Sequence, residues 1–176
     1  DEYKNFGARL LQPIGEYGTV GGFGYWGKER LAADLGTEAA PNPVTAENEV
    51  TYYGVDLSFG YDGYVTFTGQ WLYREDTAPV LASPEMTDVE TQGFVAEVII
   101  APHQDRSTHY FTLLYNNVDS DWEPDDYESY SVGATYLMAR NLRLNAEYTL
   151  LATQGIVAET GIEDTSRFSL GVIGAF

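Results

Sequence analysis

The sequence predicts an all-β chain, a run of antiparallel, amphipathic strands of the transmembrane up-and-down β-barrel type found in outer membranes. Three observations carry that prediction. Apolar and polar residues alternate with period two along most of the chain. Short and long connections alternate between the runs. The acidic residues crowd the long connections, while the apolar face of each run carries no charge.

The first run is Phe6, Ala8 and Leu10, and a short link near Pro13–Gly18 follows. The glycine-rich stretch 20–27 pairs with it less clearly. Tyr53, Val55, Leu57 and Phe59 then oppose Tyr52, Gly54, Asp56 and Ser58. A turn at Tyr61–Gly63 leads to Val65, Phe67, Gly69, Trp71 and Tyr73, set against Thr66, Thr68, Gln70, Leu72 and Arg74. Phe94, Ala96, Val98 and Ile100 oppose Val95, Glu97 and Ile99; after a turn at Pro102–Ser107, Phe111, Leu113 and Tyr115 resume the apolar face. Tyr130, Val132, Ala134, Tyr136 and Met138 lead through a tight link at Ala139–Asn141 to Leu142, Leu144, Ala146, Tyr148 and Leu150. In that strand Arg143, Asn145, Glu147 and Thr149 take the other face, because successive strand side chains point to opposite sides. The last run sets Phe168, Leu170, Val172 and Phe176 against Arg167 and Ser169. The sum is about nine strands of roughly 8–12 residues, the length that crosses a bilayer when tilted.

The long connections are 29–48, 75–90, 118–126 and 154–165. A soluble sandwich has no reason to alternate loop length in this way, whereas outer-membrane barrels have short periplasmic turns and long extracellular loops. No run of about 18 apolar residues exists, which excludes a transmembrane helix. The 14 Tyr, 8 Phe and 3 Trp suit the aromatic girdles of a barrel, although a soluble all-β protein also favours aromatics. A net charge of -18 leaves no basic patch for nucleic acid. With no cysteine, disulfides, thiolate catalysis and Cys-ligated zinc are excluded. The chain opens at Asp1 without a leader, as expected of a processed or internal segment.

Strand parity extends the argument. If Phe176 ends in the periplasm, counting back through the links starts the first strand on the extracellular side. A complete bacterial barrel has an even strand number. The single β-barrel domain over 1–176 is therefore expected to be the C-terminal portion of a larger barrel. The alternative is a tenth strand within 29–36, where Leu31, Ala33 and Leu35 alternate.

Several stretches then resemble one family. They are Tyr53-Gly54-Val55-Asp56 with Gly60-Tyr61-Asp62-Gly63 and Gln70-Trp71-Leu72-Tyr73-Arg74; Gly93-Phe94-Val95-Ala96-Glu97; and Val132 to Leu137 with Asn141-Leu142-Arg143-Leu144 and Tyr148. Ala8-Arg9-Leu10 to Pro13, and the close Arg167-Phe168-Ser169-Leu170 to Phe176, are similar as well. Together they resemble the C-terminal half of the phosphate-selective porin O and P family. The resemblance implies a barrel of about sixteen strands in a trimeric diffusion channel. It places the constriction loop and anion-binding cations in an N-terminal half that this sequence does not contain. With nine Lys and Arg in all, phosphate selectivity does not carry over. Phe168, Leu170 and Phe176 resemble the C-terminal signal read by the barrel assembly machinery.

The candidate pore-lining residues are Arg9, Asp56, Arg74, Glu97, Arg143, Glu147 and Arg167. Charged linings set electrostatic barriers to ions; the competing reading is that these groups pair with one another across strands. Asp119, Asp121, Glu123, Asp125 and Asp126 offer oxygens for Ca²⁺ or Mg²⁺, but without the glycine and spacing of an EF-hand a solvated loop is the simpler reading. Surface divalent cations bridging lipopolysaccharide stand between the two. No cofactor is called for. His103 and His109 flank a turn and form no metal pair, and no nucleophile elbow is present, so no enzyme is expected. The expected protein is an outer-membrane, multi-pass porin passing small hydrophilic solutes or ions. Its expected partners are membrane lipid, lipopolysaccharide and copies of itself, as a trimer. The alternative is a barrel that sheathes or anchors another component, such as an electron-transfer cytochrome.

Overall fold

The computed structural model describes residues 4–34, 43–78, 88–121, 126–153 and 164–174. Among them lie nine strands: β1 (Phe6–Ile14), β2 (Gly18–Asp34), β3 (Pro43–Tyr61), β4 (Val65–Asp76), β5 (Val89–Ile100), β6 (His109–Ser120), β7 (Tyr127–Ala139), β8 (Leu142–Thr153) and β9 (Asp164–Gly174). They form one antiparallel sheet in sequence order, β1 to β9. A single 3-10 turn, Gln104–Arg106, sits between β5 and β6.

The tight turns follow from local chemistry. Asp62 and Gly63 both have positive φ, 49° and 69°, and Tyr64 N–H bonds to the Tyr61 carbonyl at 2.9 Å. That is a type I′ turn, whose twist matches the flanking strands and which favours Asp-Gly. Between β7 and β8 the register shifts at Met138, so that Leu137 faces Arg143 while Ala139 faces Leu142. The bulge lets Arg140 and Asn141 close the hairpin.

Burial is inverted relative to a soluble domain. The only buried apolar residues among those described are Val89 and Ala101, whereas Asn48, Asp76, Ser107, Ser120, Ser129 and Ser131 are buried. On the apolar face Leu10 is 80% exposed, Phe168 66% and Leu170 65%. A sheet leaving so much contiguous apolar surface uncovered is stable only where that surface meets lipid or protein.

One expected connection is corrected. The long loop over 29–48 is largely strand: β2 runs to Asp34 and β3 starts at Pro43, with Leu31 opposite Ala46 and Ala33 opposite Val44. Leu31 and Ala33 therefore extend β2 rather than start a tenth strand, and Leu35 lies outside the described residues. The acidic residues there read as loop because charge marks exposure, not backbone form. Lys28 faces Glu49 and Arg30 faces Glu47, so the charges complement one another across a ladder. Asp119, Glu75, Glu90 and Glu128, also expected in loops, sit on strand ends.

Candidate functional site: the polar face of the sheet

Directly opposed residues share a face, so the register fixes the faces without appeal to side chains. Arg9 opposes Phe23, Phe23 opposes Gly54, and Gly21 opposes Asp56. Asp56 opposes Gln70, Tyr52 opposes Arg74, and Thr68 opposes Glu97. Glu97 opposes Leu114, Leu114 opposes Ser131, and Ser131 opposes Thr149. Thr149 in turn opposes Arg167, and Arg143 and Glu147 share its parity on β8. Arg9, Asp56, Arg74, Glu97, Arg143, Glu147 and Arg167 thus fall on one face.

Most of these charges are paired. Arg9 Nη2 donates to Asp56 Oδ2 at 3.0 Å, reaching across β2. Arg74 grips Asp76 in a two-pronged bond, its Nη2 at 2.9 Å from Oδ1. Arg167 stands 4.0 Å from Glu147, and both side chains are well exposed, so this pair contributes little. Glu147 also accepts from Thr149 Oγ1 at 3.2 Å, and Glu97 from Thr68 Oγ1 at 3.5 Å. The side chain of Arg143 has no ion pair among the described residues.

Sequence reasoning missed the centre of the long-loop end. Asn48 is 1% exposed. Its Nδ2 donates to Asp76 Oδ1 at 2.9 Å and to Glu29 Oε1 at 3.1 Å, and its Oδ1 accepts from Ala78 N–H at 2.9 Å. Glu49 and Thr77 exchange two further bonds, at 2.9 and 3.1 Å. This knot ties β2, β3 and β4 together where the β4–β5 connection leaves the sheet. The signal was available: Asn48 and Val50 continue the parity of Tyr52 and Asp56.

The opposite face carries an aromatic belt. Trp26 Nε1 and Lys28 Nζ both bind Glu49, the latter at 2.8 Å, and Lys28 lies 5.6 Å from the Trp26 ring centre. Tyr115 and Tyr130 donate to Glu128 Oε1 at 2.8 and 2.7 Å. Counting about 11 residues up β3 from Tyr61 uses the span of a tilted strand at Thr51, which leaves Glu49 beyond it. There the Lys28 ammonium, and after it the Trp26 indole, hold the Glu49 carboxyl below the usual range, while desolvation opposes them.

Two sets of expected residues lie partly outside the described chain. Phe168 and Leu170 are exposed on the apolar face of β9, and Phe176 is not described. Of the acidic loop, Glu123 and Asp125 are not described. Asp121 Oδ2 accepts from Glu90 N–H at 3.4 Å and Asp126 Oδ1 from Ser120 N–H at 2.6 Å, so both cap backbone. No group of His, Asp or Glu that could hold a metal occurs among the described residues.

A single meandering sheet, polar on one face and uncovered apolar on the other, has the fold of an outer-membrane β-barrel. Solved structures agree. OmpT, an outer membrane protein of Vibrio cholerae, folded in vitro, superposes with a TM-score of 0.67 at 15% identity, covering 99% of this chain and 56% of that one. Its trimer form gives 0.65 at 15%, covering 98% and 54%. The outer-membrane expressed form gives 0.62 at 14%, covering 99% and 56%. The chain thus spans about half the length of the structures it matches. No family model and no curated protein matches it.

Proposed function

We propose that the chain forms part of an outer-membrane porin, a larger barrel through whose polar lumen small hydrophilic solutes or ions diffuse. The observation that carries this reading is the gathering of charged and hydroxyl side chains on the one face that a barrel turns inward. The exposed edges β1 and β9 support a barrel completed by further strands. The resemblance to the phosphate-selective porin family points toward a porin barrel, but an excess of acid over base favours cations rather than phosphate at the mouth. The reading assigns no catalytic step. It places lipid and lipopolysaccharide against the apolar face, gives Phe168 and Leu170 to assembly, and leaves a homotrimer as the expected assembly.

The test is single-channel conductance of the full-length protein in planar bilayers, with reversal potentials in a salt gradient. Open steps with cation preference that weakens as salt rises support the proposal. Anion preference saturable by phosphate would restore the family's selectivity. A folded barrel without conductance would overturn the channel and favour a sheath around another component.

A further inference from the structure

Counting partners on the polar face leaves a remainder. Arg9, Arg74 and Arg167 each face a carboxylate, at Asp56, Asp76 and Glu147. The side chains of Arg143 on β8 and Arg140 in the β7–β8 turn have none among the described residues. In a chain of net charge -18, two arginines without a carboxylate partner among the described residues are conspicuous. Both line one pocket at the short-turn end, of about 440 Å³.

The rest of the lining separates into two kinds. Ile99, Leu137 and Ile173 offer an apolar floor, drawn from β5, β7 and β9, while Tyr110, Thr135 and Asn141 offer hydroxyl and amide groups. A pocket walled by strands from β5 to β9 requires that this face be concave there. Its volume lies within the range of small-molecule sites, roughly 300–1,000 Å³. No carboxylate is among the described residues that line the pocket; Glu97 on β5 accepts from Thr68, and Glu147 on β8 accepts from Thr149 and faces Arg167.

We propose that this pocket binds a small amphiphilic organic anion, a carboxylate with an apolar or aromatic body, with Arg140 and Arg143 on the carboxylate and Ile99, Leu137 and Ile173 against the body. Guanidinium groups match carboxylates in charge and fork geometry. Inorganic phosphate would satisfy the arginines but leave the apolar floor wet. A neutral aromatic would cover the floor and leave two cations unanswered. The site deepens the porin reading and rests on its assignment of this face to the lumen.

The test uses the full-length protein folded in detergent, with benzoate as probe and calorimetry as readout. Benzoate should bind about tenfold or more tightly than benzamide or acetate, and inorganic phosphate should not displace it at equal concentration. R140Q/R143Q should lose about tenfold in affinity, while R140K/R143K, which keeps the charge, should lose less. Equal binding of benzoate and benzamide, undiminished binding by the folded Gln variant, or displacement by phosphate would overturn the site. The benzoate-to-benzamide ratio decides the matter even where the Gln variant does not fold. Conductance of the same preparation separates the two proposals. Open steps without benzoate binding remove the site and keep the channel; benzoate binding without steps keeps the site and removes the channel.

Discussion

Asp56 reaches Arg9 across the bare backbone of Gly21. A Cβ at Gly21 would lie 2.6 Å from Asp56 Oδ2, the same oxygen that accepts from Arg9 Nη2 at 3.0 Å. The glycine is what allows a carboxylate on β3 to pair with a guanidinium on β1, with β2 between them.

G21A should therefore break the pair and leave the barrel folded, because the group that must move is the end of a flexible side chain. Arg9 is exposed, so the loss of stability should be at most about 1 kcal/mol. If the barrel conducts as proposed, the clearer effect should be on permeation. Reversal potentials should shift in G21A and in R9Q alike, and the double variant should shift no further, the non-additivity expected of one interaction.

Asn48 is the opposite case, a buried amide with all its bonds made. N48A strands the Ala78 N–H and deprives two carboxylates of a donor, which should cost roughly 1–3 kcal/mol. N48D should be worse than N48A, since it sets a third carboxylate against Glu29 and Asp76. Thermal unfolding in detergent gives the order, and hydrogen exchange at the Ala78 amide should speed in N48A, where its acceptor is gone.

The Glu49 carboxyl supplies a pH dependence. Its pKa is lowered from 4.5, chiefly by Lys28 and then by Trp26. A depressed carboxylate gives a contact fully present at neutral pH and lost as pH falls through the lowered value. In a W71F/W122F background, Trp26 emission should be constant from neutral pH down to about 4.5 and change below it. E49Q should remove the transition; a transition that persisted in E49Q would assign it to another group.

How much of this was legible in the sequence depends on range. Alternation in 142–150 and the Asp62-Gly63 turn are local, and the sheet has both as read. The faces of Arg9, Asp56 and Arg167 were legible for the same reason. The length of β2 and β3 was not, because Glu29, Glu47 and Glu49 signal solvent whether the backbone is loop or ladder. Pairing was not legible either: Arg9 and Asp56 are 47 residues apart, and Glu147 meets Arg167 rather than Arg143 only through the register of β8 and β9. The Asn48 knot is a product of that register too.

The adjacent leucines Leu113 and Leu114 put the assignment of faces to its sharpest trial. They share a side-chain type and a strand, but Leu113 opposes Val132 on the apolar face and is 49% exposed, while Leu114 opposes Glu97 on β5 and Ser131 on β7. If the apolar face meets hydrocarbon, L113R carries a charge into it near mid-strand and should cost about 2–4 kcal/mol. L114R places its guanidinium on the polar face beside Glu97 and should cost far less. Folding yield in lipid vesicles, read by heat-modifiable gel mobility, should fall for L113R and hold for L114R. The reverse order would invert the barrel's inside and outside, and with them every residue assigned to the lumen.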